Sequence, residues 1–337
     1  MKRLALLSFL ALFHALPAAA EMLPGYDRFD LMAAHRSRPI AASVWYPAAN
    51  ATYPALVGDG PIFDPTRAFV GAAIAPGQHP LVLISHGSGG NADALGWLSA
   101  GLVARGAIVL AVNHPGSTSG DSSPRRSIDL GARAKDLAAA LDMVLSDPAF
   151  SPFIDQSRVS VVGFSLGGTS ALGLAGLRFD GKAQDLRCTT GPDAADCGFF
   201  LRGGVSFAGS PGFAADARDP RIAHAIAIDP GFGGAVEAQS LNDITAGITL
   251  INLGEAHRLG AVDVGPTGND LARRLSGATY TVIAPANHFT FLGTCKPGAE
   301  TMLEDEGEDA ICSDPEGTVR KDIHTRLLEV VAKSLGL

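Results

Sequence analysis

Apolar residues in this chain fall into short unbroken runs, and stretches of helical spacing lie between the runs. Continuous runs occur at residues 40–46, 80–85, 107–113, 158–164, 222–228, 248–253 and 279–283. The middle ones read Leu-Val-Leu-Ile, Ile-Val-Leu-Ala-Val and Val-Ser-Val-Val, the pattern of a strand buried on both faces. Between them, Leu130, Ala134, Leu137, Leu141 and Val144 recur at the spacing of one buried helix face, with Asp129 and Asp136 assigned to the polar side. Residues 92–105 and 166–177 also read as helices. Val319, Ile323, Leu327 and Val330 predict a closing helix. Strands alternating with helices imply an α/β fold: a mostly parallel central sheet with helices on both faces. In such sheets, sites form beyond the carboxyl ends of the strands.

Three segments break the alternation. Residues 59–76 read as a Pro/Gly-containing loop. Residues 179–204 leave the pattern just after a predicted helix and are a candidate cap over a site. Residues 292–317 carry the acidic run Glu304, Asp305, Glu306, Glu308 and Asp309, which reads as a solvated face. No calcium-loop spacing is present there.

The N-terminus changes the compartment expected. Lys2 and Arg3, an apolar run from Leu4 to Leu16 and Ala18-Ala19-Ala20 have the layout of a signal peptide over residues 1–20. The run is too short for a finished bilayer span, and no other stretch approaches the roughly 20 apolar residues needed. Export to the periplasm or the medium makes the four cysteines candidates for two disulfides. Cys188 with Cys197 and Cys295 with Cys312 is the favoured pairing, because each closes a short polar loop. No metal site is expected, since cysteine and histidine lack ligand spacing. The remaining 317 residues suit one large domain, and a hydrophobic content of 47% over the full chain is enough for a sizeable core. Net charge is −8, and −10 without the leader, which argues against nucleic acid and anionic lipid as partners.

Two strand ends carry chemistry. The run 158–164 continues into Gly163-x-Ser165-x-Gly167-Gly168 and then into a helix of small residues. That strand–turn–helix context marks a nucleophile elbow, a tight turn that lifts a serine hydroxyl above the sheet. The run 80–85 ends in His86-Gly87-Ser88-Gly89-Gly90. Such a loop supplies one backbone N–H to an oxyanion, and the residue after the nucleophile supplies the other. The donors are then Ser88 and Leu166. His86 reads as a structural histidine.

The order nucleophile, acid, base singles out His288, which follows the last strand in Pro285-Ala286-Asn287-His288. The acid has more than one candidate. Asp229 is the first residue after the run 222–228, and a short rigid carboxylate there suits a fixed hydrogen bond. Glu255 and Asp263 follow the next run and stay open as alternatives.

Taken together, Val44–Pro47, Leu81–Gly90, Val109–Gly116, Gly163–Gly168, Ala225–Pro230 and Asn287–Phe291 resemble the platelet-activating factor acetylhydrolase and dienelactone hydrolase-like group of α/β hydrolases. Ala227-Ile228-Asp229 is similar to the acid-bearing strand end of the acetylhydrolases and favours Asp229. The resemblance implies a serine carboxylic ester hydrolase without a cofactor, acting on a small-molecule or lipid-like ester. Two departures limit it. Dienelactone hydrolases use a cysteine nucleophile where this chain has Ser165. Pro230-Gly231-Phe232-Gly233-Gly234 replaces the aromatic cluster that follows the acid in the acetylhydrolases. An amidase or peptidase with the same residues, and an inactive binding protein of the same fold, remain alternatives. The sequence does not fix the oligomeric state.

Overall fold

A computed structural model describes residues 22–191 and 194–337. The predicted leader lies outside the described residues. The strands are β1 (Gly25–Leu31), β2 (Ile40–Tyr46), β3 (Tyr53–Val57), β4 (Thr66–Val70), β5 (His79–Ser85), β6 (Ile108–Val112), β7 (Ser117–Thr118), β8 (Asp121–Ser122), β9 (Ile154–Phe164), β10 (Ile222–Ile228), β11 (Gly247–Leu253) and β12 (Thr279–Ile283). All but the small β7–β8 hairpin form one sheet, ordered β12-β11-β10-β9-β5-β6-β2-β1-β4-β3. The six strands from β12 to β6 pair in parallel; β2 joins antiparallel and begins an edge of mixed direction.

The helices are α1 (Gly96–Val103), α2 (Pro124–Ser127), α3 (Leu130–Ser146), α4 (Leu166–Leu174), α5 (Gly181–Thr190), α6 (Gly198–Arg202), α7 (Leu271–Arg274), α8 (Ala299–Glu306) and α9 (Arg320–Leu335). Side chains of each parallel strand alternate between two cores. Leu81 and Leu83 of β5 join α3 and α4 on one face. Val82 and Ile84 join α1 and α9 on the other. Both cores need apolar residues, so the strand has no polar position to spare, which is why these runs read as continuous. Asp129 caps α3 by accepting the Ala132 N–H. Among the described residues no helix is long and apolar enough to cross a membrane.

The expected α/β-hydrolase architecture is present, with three local corrections. The segment read as a loop contains β4, and β1 and β3 also lay outside the predicted strands. These three lie at or near the mixed edge, where exposed positions interrupt the apolar runs. The closing helix buries Ile323, Leu327 and Val331, whereas Val319 is exposed and precedes the helix. Asp136 faces the core. It is fully buried, between α3 and the sheet, where Arg36 donates to both of its oxygens and His35 and His114 stand within hydrogen-bond distance. A buried carboxylate is tolerated only with such partners.

Candidate active site

Four strand ends meet at one place. Ser165 follows β9, Asp229 follows β10, His288 follows β12, and His86-Gly87-Ser88 follows β5. The turn at Ser165 is built by close backbone approach. A Cβ at Gly163 would lie 2.0 Å from the Gly167 carbonyl oxygen, and one at Gly167 would lie 2.0 Å from that of Ser85. Ser165 itself takes φ 54 and ψ −122, a conformation that side chains rarely adopt. Its N–H is held by the Ile228 carbonyl.

The three predicted side chains are in contact. His288 Nε2 stands 3.1 Å from Ser165 Oγ, and His288 Nδ1 stands 2.9 Å from Asp229 Oδ2. A carboxylate only accepts, so Nδ1 carries the proton and Nε2 is free to accept from the serine hydroxyl. Asp229 is fully buried, and its second oxygen receives the Asn252 side-chain N–H at 2.8 Å and the Leu253 backbone N–H at 2.9 Å. Asp229 is therefore fixed from both sides. The other acid candidates are elsewhere. Asp263 is held by Arg258, Thr267 and the Gly265 N–H, and Glu255 is exposed.

The loop after β5 lies against the turn that carries Ser165. A Cβ at Gly87 would sit 3.2 Å from Ser165 Cβ. Leu166 is the first residue of α4, so the helix itself has no acceptor for its N–H. Ser88 is exposed at the site's rim. His86 is buried; its Nε2 accepts the His114 N–H, and its Nδ1 donates to the Gly87 carbonyl.

His288 is held by its own turn. The Asn287 side chain accepts the Phe289 and Thr290 N–H groups and donates to the Ser313 carbonyl. Thr290 donates to Asp314, and the buried His324 Nε2 reaches the Thr290 and Leu292 carbonyls. The disulfide Cys295–Cys312 closes the loop that presents Ser313 and Asp314. The other disulfide joins Cys188 to Cys197, so both expected pairs are present.

A cleft of about 1750 Å³ opens over Ser165 and His288. Phe199 and Phe200, within the segment read as a cap, line it together with Leu56 and Phe63. Among the described residues no group of three or more His, Cys, Asp and Glu side chains is arranged to hold a metal ion.

A second Ser–His–Asp set lies below the site. Ser85 Oγ is 2.9 Å from His114 Nε2, and His114 Nδ1 is 2.9 Å from Asp136 Oδ2. All three residues are fully buried and none lines the cleft, so no substrate carbonyl reaches Ser85. Sequence reasoning did not single out Ser85, Asn252 or Arg133 as part of the site. The available signal was a polar residue inside an otherwise apolar run, as in Ile-Thr-Leu-Ile-Asn-Leu.

Burial has a consequence for pH. It lowers His114 to about 4, against the opposing pull of Asp136, and it lowers His324 to about 4. His86 is also pushed well below the usual imidazole range, first by burial and then by His114 and Arg133. In the unfolded chain these imidazoles take up protons below about pH 6.5. In the folded chain His114 and His324 stay neutral down to about pH 4, and burial holds His86 neutral as well. The unfolded state binds more protons, so stability falls as pH drops from about 6.5 toward 4. Denaturant midpoints measured between pH 7 and 4.5 should decline steadily, with an uptake of about two to three protons on unfolding near pH 5. A flat profile over that window would contradict the buried neutral state.

No protein-family model matches the chain. Cutinase est1 and cutinase est2 of Thermobifida alba are each 34% identical to it over 128 residues. The match covers 37% of this chain and 38% and 37% of the two cutinases, so it spans well under half of these relatives. Among solved structures, a ferulic acid esterase from Streptomyces cinnamoneus superimposes with a TM-score of 0.56 at 18% identity, over 95% of this chain and 91% of that one. The esterase Est22 superimposes with a TM-score of 0.51 at 10% identity, over 93% and 81%. The chain has the α/β-hydrolase fold, with the sheet order and strand-end site described above.

Proposed function

We propose that this protein is a serine carboxylic ester hydrolase that works through an acyl-enzyme. The observation that carries the reading is the hydrogen-bonded chain Ser165–His288–Asp229 at the floor of an open cleft. Ser165 Oγ attacks an ester carbonyl while His288 Nε2 takes its proton. Asp229 holds the imidazole in the required tautomer and stabilises its cation. The Ser88 and Leu166 N–H groups receive the oxyanion; one such donor contributes about 3 kcal/mol of transition-state stabilisation. His288 then returns the proton to the leaving alcohol, and water cleaves the acyl-enzyme by the reverse route.

The partial match to two cutinases supports an ester rather than an amide substrate. Apolar residues in the cleft lining, among them Leu56, Phe63, Phe199 and Phe200, suit a small or lipid-like ester. The acetylhydrolase-like strand end Ala227-Ile228-Asp229 fits the same chemistry. The segment 179–204 serves as a partial cap, since Phe199, Phe200 and Arg202 of α6 and its flank line the cleft. Two disulfides suit an oxidising compartment and hence export.

A fluorophosphonate probe should label the protein with one equivalent, mapped to Ser165 by mass spectrometry. Parallel rates on p-nitrophenyl esters and matched anilides should favour the ester strongly. A protein that is folded but neither labelled nor active on any ester would refute the reading, and faster anilide cleavage would make it an amidase.

A further inference from the structure

Arg133 lies in the first turn of α3 and is 1% exposed, which is rare for an arginine. Among the described residues no carboxylate bonds to its guanidinium. Burial lowers its pKa to about 9. A methionine or leucine would fill the same space without desolvating a charge. What a guanidinium adds is several donors fixed in one plane.

Those donors join three elements. Nη2 donates to the His86 carbonyl at 2.5 Å and faces Ser85 Oγ at 3.3 Å, both at the end of β5. Nη1 donates to Ser117 Oγ at 2.7 Å. Nε donates to Ser170 Oγ at 2.9 Å, one turn into the nucleophile helix α4. Ser117 in turn accepts the Gly89 N–H through its backbone carbonyl at 2.9 Å. Ser88 therefore sits between two pinned neighbours. His86 is held directly by Arg133, and Gly89 is held by the residue that Arg133 holds. Ser170 Oγ also donates to the Leu166 carbonyl at 3.0 Å, so the same guanidinium reaches the first turn of α4.

The lower part of the network keeps the arrangement rigid. His114 donates its N–H to His86 Nε2, its Nε2 meets Ser85 Oγ, and its Nδ1 donates to Asp136. Opposing effects set Asp136: burial pushes its carboxyl up, and the hydrogen bonds from His114 and Arg36 reverse this, leaving it at about 2. It stays an anion throughout the working range. The buried Ser85–His114–Asp136 set is thus a strut under the loop after β5.

We propose that Arg133 is the positioning residue of the oxyanion site: its guanidinium fixes the loop carrying Ser88 against the helix start carrying Leu166, so that the two N–H groups converge above Ser165. This inference rests on the esterase reading and adds the element that sets its transition-state geometry. Arg133 touches no substrate. Its loss should therefore lower kcat with little change in KM, because substrate binding in the cleft does not depend on the oxyanion donors.

The test uses the mature protein with both disulfides formed, wild type beside Arg133→Lys, Ser117→Ala and Ser170→Ala. Each is assayed on p-nitrophenyl butyrate and titrated with phenylboronic acid, a mimic of the tetrahedral state. Arg133→Lys should lose about 100-fold in kcat, the cost typical of a 1 Å misplacement. The serine variants, each of which removes one anchor, should lose roughly 3–10-fold, a part of that cost. KM should stay within about 3-fold, and the boronate inhibition constant should rise in step with the fall in kcat. Should Arg133→Lys fail to fold, the serine variants decide. Folded variants with wild-type kcat and boronate affinity would overturn the proposal, as would losses confined to KM. Wild-type protein that neither hydrolyses the ester nor takes up the fluorophosphonate would instead overturn the esterase reading, and this inference with it.

Discussion

Ser165→Ala should reduce kcat on p-nitrophenyl acetate by roughly ten-thousand-fold to a million-fold, the range seen when a nucleophile of this kind is removed. The substitution deletes one oxygen and leaves everything else in place. The alanine still occupies the tight turn held by Gly163, Gly167 and the Ile228 carbonyl. His288 keeps its bond to Asp229, and the proposed oxyanion donors, the Ser88 and Leu166 N–H groups, are untouched by the change. What remains is water attacking a carbonyl polarised by those donors, which accounts for a small residual rate. The backbone at this position is strained with either side chain, so the melting temperature should stay close to that of wild type. Stopped assays with excess enzyme distinguish slow turnover from none. A Ser165→Ala protein that hydrolyses the ester near the wild-type rate would place the nucleophile elsewhere.

The parts of this fold that were legible in the sequence are those where one physical demand dominates. Strands β5, β6 and β9 must be apolar on both faces, so they stand out as runs of Leu, Val and Ile. The elbow closes on its own backbone at Gly163 and against the end of β5 at Gly167, so only glycine serves at both positions. The order of strand ends left one histidine that follows the last strand. The strands β1, β3 and β4 were illegible because exposed positions break up their apolar residues, so none forms a continuous run.

Asp136 and Arg133 failed for a different reason. Helical spacing says that a charged residue belongs on the wet side, and that rule holds where burial has no other use. Here α3 faces the sheet with charged side chains between the apolar ones, because Arg36, His114, His86 and Ser170 wait there as partners. No local pattern reports a partner about 100 positions away, as Arg36 is from Asp136. The same limit applied to the acid. Asp229 and Asp263 both follow a strand, and both are buried. Only the three-dimensional arrangement shows that one meets an imidazole and the other a guanidinium.

That contrast gives the second large effect. Asp229→Asn should lower kcat by about ten-thousand-fold at neutral pH, the loss expected when the base is locked in the wrong tautomer. The direction follows from donors and acceptors. One carboxylate oxygen of Asp229 receives two N–H groups, from Asn252 and Leu253, and the other receives His288 Nδ1–H. An asparagine has one oxygen and one NH2 for the same two places. Turning the NH2 toward Asn252 and Leu253 would oppose it to two buried donors; turning it toward His288 opposes it to one. The second arrangement is cheaper, because the imidazole can move its proton to Nε2 and accept the new N–H at Nδ1. His288 Nε2 then points a hydrogen at Ser165 and cannot take the serine proton. Fluorophosphonate labelling should slow in proportion to kcat, and KM should change little. Asp263→Asn and Glu255→Gln leave this constellation untouched and should retain activity within roughly 3-fold of wild type, as expected of residues outside the reacting set. If Asp263→Asn or Glu255→Gln instead lost the larger factor while Asp229→Asn kept its rate, the acid would belong to the end of β11 and the arrangement at His288 would be structural.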